Sequence, residues 1–126
     1  MKIRTMVVDD NKESGEILGL LLEHVSSDVI VHVVSDSTAV LPMLAIEHID
    51  LLLTDYRMPG MDGLTLGGRV MDQSPETMVV LVSGYLEADL HQRAADLGIT
   101  QVLLKPVSLE SLRGLIRLVQ ETRDTP

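Results

Sequence analysis

Cysteine, tryptophan and phenylalanine are absent from this chain of 126 residues, and Tyr56 and Tyr85 are its only tyrosines. The absence of cysteine excludes disulfides and thiolate metal sites. Without large aromatic side chains, the core has to be built from leucine, valine, isoleucine and the seven methionines. A chain of this length buries roughly two-thirds of its unfolded surface, so one domain needs no cross-links to be stable.

Positive charge and long apolar segments are also scarce. Ten lysines and arginines stand against nineteen acidic residues, and the net charge of −9 argues against direct nucleic-acid binding. No apolar run approaches the roughly 20 residues of a membrane-spanning helix. The apolar residues before Asp9 are too few for a signal peptide. We therefore expect a soluble, cytoplasmic protein without a membrane partner.

Five short apolar segments predict β-strands. Several are continuous in valine, leucine or isoleucine, a pattern typical of parallel strands that are covered on both faces. The segments are Ile3–Val8, Val29–Val34, Asp50–Thr54, Met78–Val82 and Gln101–Leu104.

Segments with helical spacing follow the strands. Asn11 is positioned to cap the first helix, whose apolar side carries Ile17, Leu18, Leu21, Leu22 and Val25. The other helices are expected at Thr38–His48, at Gly63–Asp72, at Leu86–Leu97 and after Ser108. Pro42 must lie in the first turn of the second helix or kink it. Gly67 and Gly68 weaken the third helix, because each costs about 1 kcal/mol relative to alanine.

The strand–helix alternation predicts an α/β fold. We expect a single-domain, doubly wound (βα)5 flavodoxin-like sandwich, whose parallel five-stranded sheet has the order 2-1-3-4-5 and carries helices on both faces. The domain is expected to span residues 1–121, with residues 122–126 as a C-terminal tail or the start of a linker.

Acidic residues follow two strands that this order makes neighbours. Asp9 and Asp10 come after the first strand and Asp55 after the third, so their carboxylates are expected to converge at the carboxyl edge of the sheet. Clustered carboxylates raise one another's pKa unless a cation lies among them. Oxygen ligands without cysteine or histidine favour Mg²⁺, with Mn²⁺ as the alternative.

A hydroxyl and an ammonium are expected at the same edge. Ser83 closes the fourth strand and Lys105 the fifth. A carboxylate nucleophile, a divalent ion, a hydroxyl donor and an ammonium are the parts that an aspartyl-phosphate site requires. Taken singly, each of these residues is more simply interpreted as a turn or cap residue. The combination favours the site.

The motifs are Asp9-Asp10, Asp55 with Met58-Pro59 and Met61-Asp62-Gly63, Ser83-Gly84, and Lys105-Pro106. Over nearly its whole length the chain resembles the CheY-like response-regulator receiver domains of two-component systems. The resemblance implies that Asp55 is the phosphoacceptor. It also implies that Asp10 ligates Mg²⁺ directly, Asp9 mainly through water, and Arg57 through its backbone carbonyl. Ser83 would turn toward the phosphoryl group, Lys105 would pair with it, and the Lys105–Pro106 peptide bond would be cis.

The resemblance also implies partners. A histidine kinase or a histidine phosphotransfer protein would donate the phosphoryl group, and catalysis would be limited to phosphorylation and dephosphorylation of Asp55 itself. The face formed by the fourth helix, fifth strand and fifth helix would then signal to a downstream protein or output domain, or form a homodimer. The chain is expected to be a stand-alone receiver or the N-terminal receiver of a longer protein.

Near the expected site the chain departs from the family pattern, and one departure is Val107, which stands where phenylalanine commonly follows the Lys-Pro pair. Val102 stands where many receivers carry the tyrosine or phenylalanine of a rotamer switch, so an aromatic-flip account of activation does not carry over. Arg57 and Tyr85 flank the path of a hydrolytic water, and we expect both to slow loss of the phosphoryl group.

Two other functions share parts of this pattern. A receiver-like interaction module would have the fold but never accept phosphate. A haloacid-dehalogenase-like phosphohydrolase also combines aspartate, serine or threonine, and lysine, but it generally needs a second aspartate two residues after the nucleophile, where this chain has Arg57.

Overall fold

The computed structural model describes residues 2–85 and 87–123 together with the backbone of residue 124. Strands and helices alternate along the chain as the sequence predicts. The elements are β1 (Ile3–Val8), α1 (Lys12–Val25), β2 (Val29–Val34), a 3₁₀ turn (Ser37–Ala39), α2 (Val40–Ile46), β3 (Leu51–Asp55), α3 (Gly63–Gln73), β4 (Met78–Ser83), α4 (Leu90–Asp96), β5 (Gln101–Leu104) and α5 (Leu109–Asp124). The predicted tail thus begins inside α5, and residues 125–126 lie outside the described part.

All five strands are parallel and follow the order β2-β1-β3-β4-β5, which confirms the flavodoxin-like prediction. Alternate side chains of each strand enter two separate cores. Met6 and Val8 pack with α2, α3 and α4 on one face, whereas Ile3 and Val7 pack with α1 and α5 on the other. Helices therefore cover both faces, and the carboxyl edge of the sheet is left open for a site.

The buried side of α1 matches the predicted one except at Ile17, since Leu18, Leu21, Leu22 and Val25 pack in the core shared with α5. Leu22 is fully buried, but Ile17 is 59% exposed. Gly15 and Gly19 are buried instead and face the valine side chains of β2. The helix lies close enough to the sheet that these two glycines also contact β2, and Ile17 is turned toward solvent.

The other helices also differ from the predictions in detail. The segment at Thr38–His48 divides into a 3₁₀ turn and a short α2, with Pro42 in the first turn of α2. The start of the predicted fourth helix at Leu86 lies outside the described residues, and α4 begins only at Leu90. Helix α3 forms despite its glycines, and Gly67 packs closely there: a Cβ on it would lie 2.6 Å from Ile99 Cδ1, so the end of that side chain would have to move. Among the described residues, no helix combines the length and apolar character that crossing a bilayer takes.

Candidate functional site

Three carboxylates meet where β1 and β3 end. Val8 pairs with Thr54 across the two strands, so Asp9 and Asp55 are the next residues along these adjacent strands. Carboxylate oxygens of Asp9, Asp10 and Asp55 lie within 4.8 Å of one another. Asp9 is buried, Asp55 is partly buried and Asp10 is exposed. The structure thus brings together the acidic residues that the sequence singled out.

The start of α1 holds Asp9 in place. The backbone N–H of Asn11 donates to Asp9 Oδ1 at 2.9 Å. Asn11 in turn caps α1 by accepting a hydrogen bond from the backbone N–H of Ser14 at 3.0 Å. The positive end of the helix dipole therefore faces the buried carboxylate and helps to compensate its charge.

Lys105 supplies the positive charge opposite these acids. Its Nζ lies 3.2 Å from Asp55 Oδ1 and 3.4 Å from Asp9 Oδ2. Its backbone N–H donates to the carbonyl of Ser83 at 2.8 Å, which extends the pairing of β4 and β5. The following Lys105–Pro106 peptide bond is cis. One ammonium thus contacts two of the three carboxylates.

The charges in this site shift two pKa values. Burial raises the pKa of Asp55, and Asp9 and Asp10 add to the rise, while Lys105 opposes it. Burial acts to lower the pKa of Lys105, but the carboxylates of Asp55 and Asp9 outweigh it, so that this pKa is raised. Three carboxylates around one ammonium leave negative charge in excess.

The donor set fits a hard divalent cation. Three carboxylates within reach of one point, with no sulfur or nitrogen donor among them, match the oxygen coordination of Mg²⁺. A divalent ion would remove the excess negative charge that the single lysine leaves. The backbone carbonyl of Arg57 belongs to the loop that directly follows Asp55.

A tight loop connects Asp55 to α3. The backbone N–H of Gly63 donates to the carbonyl of Tyr56 at 2.7 Å. A Cβ on Gly63 would lie 2.0 Å from the carbonyl oxygen of Asp55, so only glycine fits. Asp62 caps α3 by accepting a hydrogen bond from the Thr65 amide at 2.8 Å. This packing holds the backbone of Asp55 against the start of α3.

Ser83 reaches the same edge, but its hydroxyl is engaged within its own loop. It is buried at the end of β4, and its Oγ donates to the backbone carbonyl of Tyr85 at 2.6 Å. The Tyr85 amide lies 3.4 Å from the same oxygen. Contact between Ser83 and a group bound at Asp55 would require this turn to open.

Two of the expected modulators stack on each other, and the third packs against the core. Arg57 is exposed, and its guanidinium carbon lies 4.8 Å from the centre of the Tyr85 ring, in cation–π range. Val102 is half-buried and packs against the core under α2, α3 and α4. Glu87 and Arg93, which contact the side chains of Tyr56 and Arg57, were not predicted from the sequence. No local sequence pattern could have indicated this, because Glu87 lies 30 residues after Arg57 in the chain.

The family is evident from the comparisons. A family model described as the response regulator receiver domain matches residues 5–117. The chain is 28% identical to the cyclic di-GMP phosphodiesterase response regulator RpfG of Xanthomonas campestris pv. campestris, covering 95% of the chain and 33% of that protein. It is 30% identical to the response regulator protein PilR of Pseudomonas aeruginosa, covering 96% of the chain and 27% of that protein. The chain thus spans about a third or less of these curated relatives.

Solved structures agree with this result. A CheY-like response regulator receiver domain protein of Methanospirillum hungatei has the same fold, with a TM-score of 0.89 at 21% identity and full coverage of both chains. The signal receiver domain of the response regulator NarL from Mycobacterium tuberculosis has a TM-score of 0.82 at 29% identity, covering 94% of this chain and 97% of that one. With its acidic pocket at the carboxyl edge of a CheY-like sheet, the chain belongs to the response-regulator receiver domains, a family of two-component signalling that is generally not catalytic.

Proposed function

We propose that Asp55 accepts a phosphoryl group from the phosphohistidine of a histidine kinase or a histidine phosphotransfer protein. A carboxylate oxygen of Asp55 attacks phosphorus, the P–N bond breaks, and the departing imidazole takes up a proton. The observation that carries the proposal is the contact of Lys105 with both Asp55 and Asp9. The Lys105 ammonium provides a fixed positive charge where the phosphoryl oxygens would lie.

The remaining residues have distinct proposed roles. Asp10 would hold Mg²⁺ directly, Asp9 mainly through water, and Arg57 through its backbone carbonyl, with Mn²⁺ as a substitute. When bound, the ion neutralises phosphoryl oxygens during transfer. The Ser83 hydroxyl would leave the Tyr85 carbonyl and donate to the phosphoryl group, while Lys105 would pair with it.

Intact-mass measurement after incubation with acetyl phosphate and Mg²⁺ tests the assignment. The wild type should gain one phosphoryl group, and Asp55→Asn should gain none. Asp62→Asn is the matched control, because this residue caps α3 in the same loop and its variant should still be phosphorylated. Chelation of the metal should abolish the gain. An equal gain in Asp55→Asn would contradict the assignment. No gain in the wild type would favour a module that binds partners without phosphate.

Arg57 and Tyr85 are proposed to slow loss of the phosphoryl group, because their stacked side chains lie beside the path of a hydrolytic water. Arg57→Ala and Tyr85→Ala should each shorten the lifetime of the phosphorylated chain by several-fold in a mass-resolved decay. Tyr85→Phe keeps the ring and should retain the wild-type lifetime. Unchanged decay in both alanine variants would refute this role.

The signalling output is proposed to leave through the face formed by α4, β5 and α5, toward a downstream protein, an output domain or a second copy of the chain. Catalysis is proposed to be limited to phosphorylation and dephosphorylation of Asp55. We propose that the domain spans residues 1–121, that the last residues of α5 lead from residue 122 into a tail or linker, and that the receiver lies in the cytoplasm.

A further inference from the structure

Glu87 lies between the segment that follows Asp55 and helix α4. Its carboxylate pairs with the Arg57 guanidinium and accepts a hydrogen bond from the Tyr56 hydroxyl at 3.3 Å. Arg93 of α4 approaches the same carboxylate to 3.8 Å and donates to the Tyr56 hydroxyl at 3.4 Å. We name Tyr56, Arg57, Glu87 and Arg93 the Glu87 cluster. Of these four residues, only Arg57 has a role in the phosphoryl chemistry proposed for Asp55.

The cluster is attached to rigid parts of the molecule on both sides. Tyr56 directly follows Asp55, its amide donates to the Val82 carbonyl at 2.8 Å, and its ring is buried. That ring belongs to the same core as Leu90 and Ala94 of α4. An isolated surface ion pair contributes little, but here a buried ring fixes the position of the hydroxyl. The cluster therefore joins the acceptor strand to α4.

Tyr56, and not Val102, makes the polar contact with α4. Val102 is a half-buried aliphatic residue, whose side chain cannot swing between an exposed and a buried aromatic position. Tyr56 has the phenolic hydroxyl that Val102 lacks, and this hydroxyl already contacts α4 through Arg93.

We propose that Glu87 couples the phosphorylation state of Asp55 to the position of α4, acting through Tyr56 and Arg57 on one side and Arg93 on the other. The inference rests on the proposed function of Asp55. A phosphoryl group at Asp55 attracts the Arg57 guanidinium and competes with Glu87 for it. Glu87 then keeps only Tyr56 and Arg93 as partners, and α4 shifts with Arg93.

Hydrogen exchange followed by mass spectrometry tests the coupling. The wild type, Glu87→Gln and Tyr56→Phe would be measured with Mg²⁺ alone and with Mg²⁺ plus beryllofluoride, and ¹⁹F NMR would report beryllofluoride occupancy. The wild type should show a change in exchange across Leu90–Asp96. In Glu87→Gln that change should fall by at least half at equal occupancy, and in Tyr56→Phe by less. Glu23→Gln, an exposed glutamate on α1, should respond like the wild type.

The outcomes separate this inference from the proposed function. A wild-type response of α4 in both Glu87→Gln and Tyr56→Phe would overturn the coupling, as would an unresponsive α4 in wild type with bound beryllofluoride. Either result would leave Asp55 as the acceptor. Tyr56→Phe retains the buried ring, so it remains informative if Glu87→Gln fails to fold. Absence of bound beryllofluoride in the wild type, with no gain of mass from acetyl phosphate, would instead remove the proposed function.

Discussion

The two ends of the parallel sheet both carry acidic side chains, and the two ends compensate them differently. At the amino end, the buried Asp50 accepts a hydrogen bond from the Arg4 amide at 2.9 Å. It also lies 2.9 Å from His48 Nε2 and 3.6 Å from Arg123 Nη1. Glu47 nearby contacts both Arg4 and His32 at 3.1 Å. Asp50 and Glu47 thus each have more than one donor.

At the carboxyl end, three carboxylates share one lysine ammonium. The raised pKa of Asp55, caused first by burial and then by its acidic neighbours, shows that the compensation is incomplete. A fully partnered acid stabilises the fold, whereas an incompletely partnered one has binding capacity left for a metal ion and a phosphoryl group. The same residue type thus serves structure at one end and chemistry at the other.

Removal of Asp50 should have the largest effect on stability. Asp50→Ala leaves the Arg4 amide, His48 and Arg123 without their shared acceptor, and we expect a loss of about 2–3 kcal/mol in the free energy of unfolding. Asp50→Asn keeps an acceptor oxygen and should lose less. Urea unfolding measures both. A loss below that of a typical surface substitution would show that the amino end is not a structural network.

A buried hydroxyl between the two ends provides a smaller test. Thr5 is fully buried in the middle of β1, and among the described residues its Oγ1 has no hydrogen-bond partner. Thr5→Val should therefore stabilise the chain by about 1 kcal/mol, because an unpaired buried hydroxyl is removed. Thr77→Val is the matched control with the opposite sign, since the buried Thr77 hydroxyl donates to the Ile49 carbonyl at 2.7 Å. A destabilised Thr5→Val would show that the hydroxyl is satisfied in solution.

The smallest expected effect is at the carboxyl end. Without metal at neutral pH, Asp55→Asn should raise the free energy of unfolding by about 1 kcal/mol or less, because an under-compensated charge is removed. Because the folded-state pKa of Asp55 is raised, the wild type binds more protons folded than unfolded as the pH falls toward the ordinary value of 3.8. The difference between the two proteins should therefore shrink in that range.

Added Mg²⁺ should reverse this order by stabilising the wild type more than Asp55→Asn. Thermal unfolding with and without the ion, between pH 4 and 7, measures both trends. If Asp55→Asn is less stable than the wild type when no metal is added, Lys105 already compensates the charge of the site.

Much of the fold followed from local patterns. The strand at Ile3–Val8 and the sheet order were predicted correctly, because continuous apolar runs and strand–helix alternation leave few arrangements. Helix α1 was predicted at the right place with Ile17 on the wrong side, because periodicity does not reveal how closely Gly15 and Gly19 let the helix approach β2. The convergence of Asp9, Asp10 and Asp55 was predictable because they lie at the carboxyl ends of the first and third strands, which the predicted sheet order makes neighbours. The roles assigned to those residues remain predictions.

Taken alone, the sequence determined the alternation of elements, the aliphatic core, the excess of acid and the motif residues at the strand ends, because these depend on neighbours in the chain. Tertiary structure alone decided that Ser83 is engaged with Tyr85, that Glu87 lies against Tyr56, Arg57 and Arg93, and that the acids of the amino end are matched by basic partners. Most of these contacts join residues tens of positions apart or set one side-chain orientation among several. They are therefore fixed by packing and charge in the folded chain, and no local pattern encodes them.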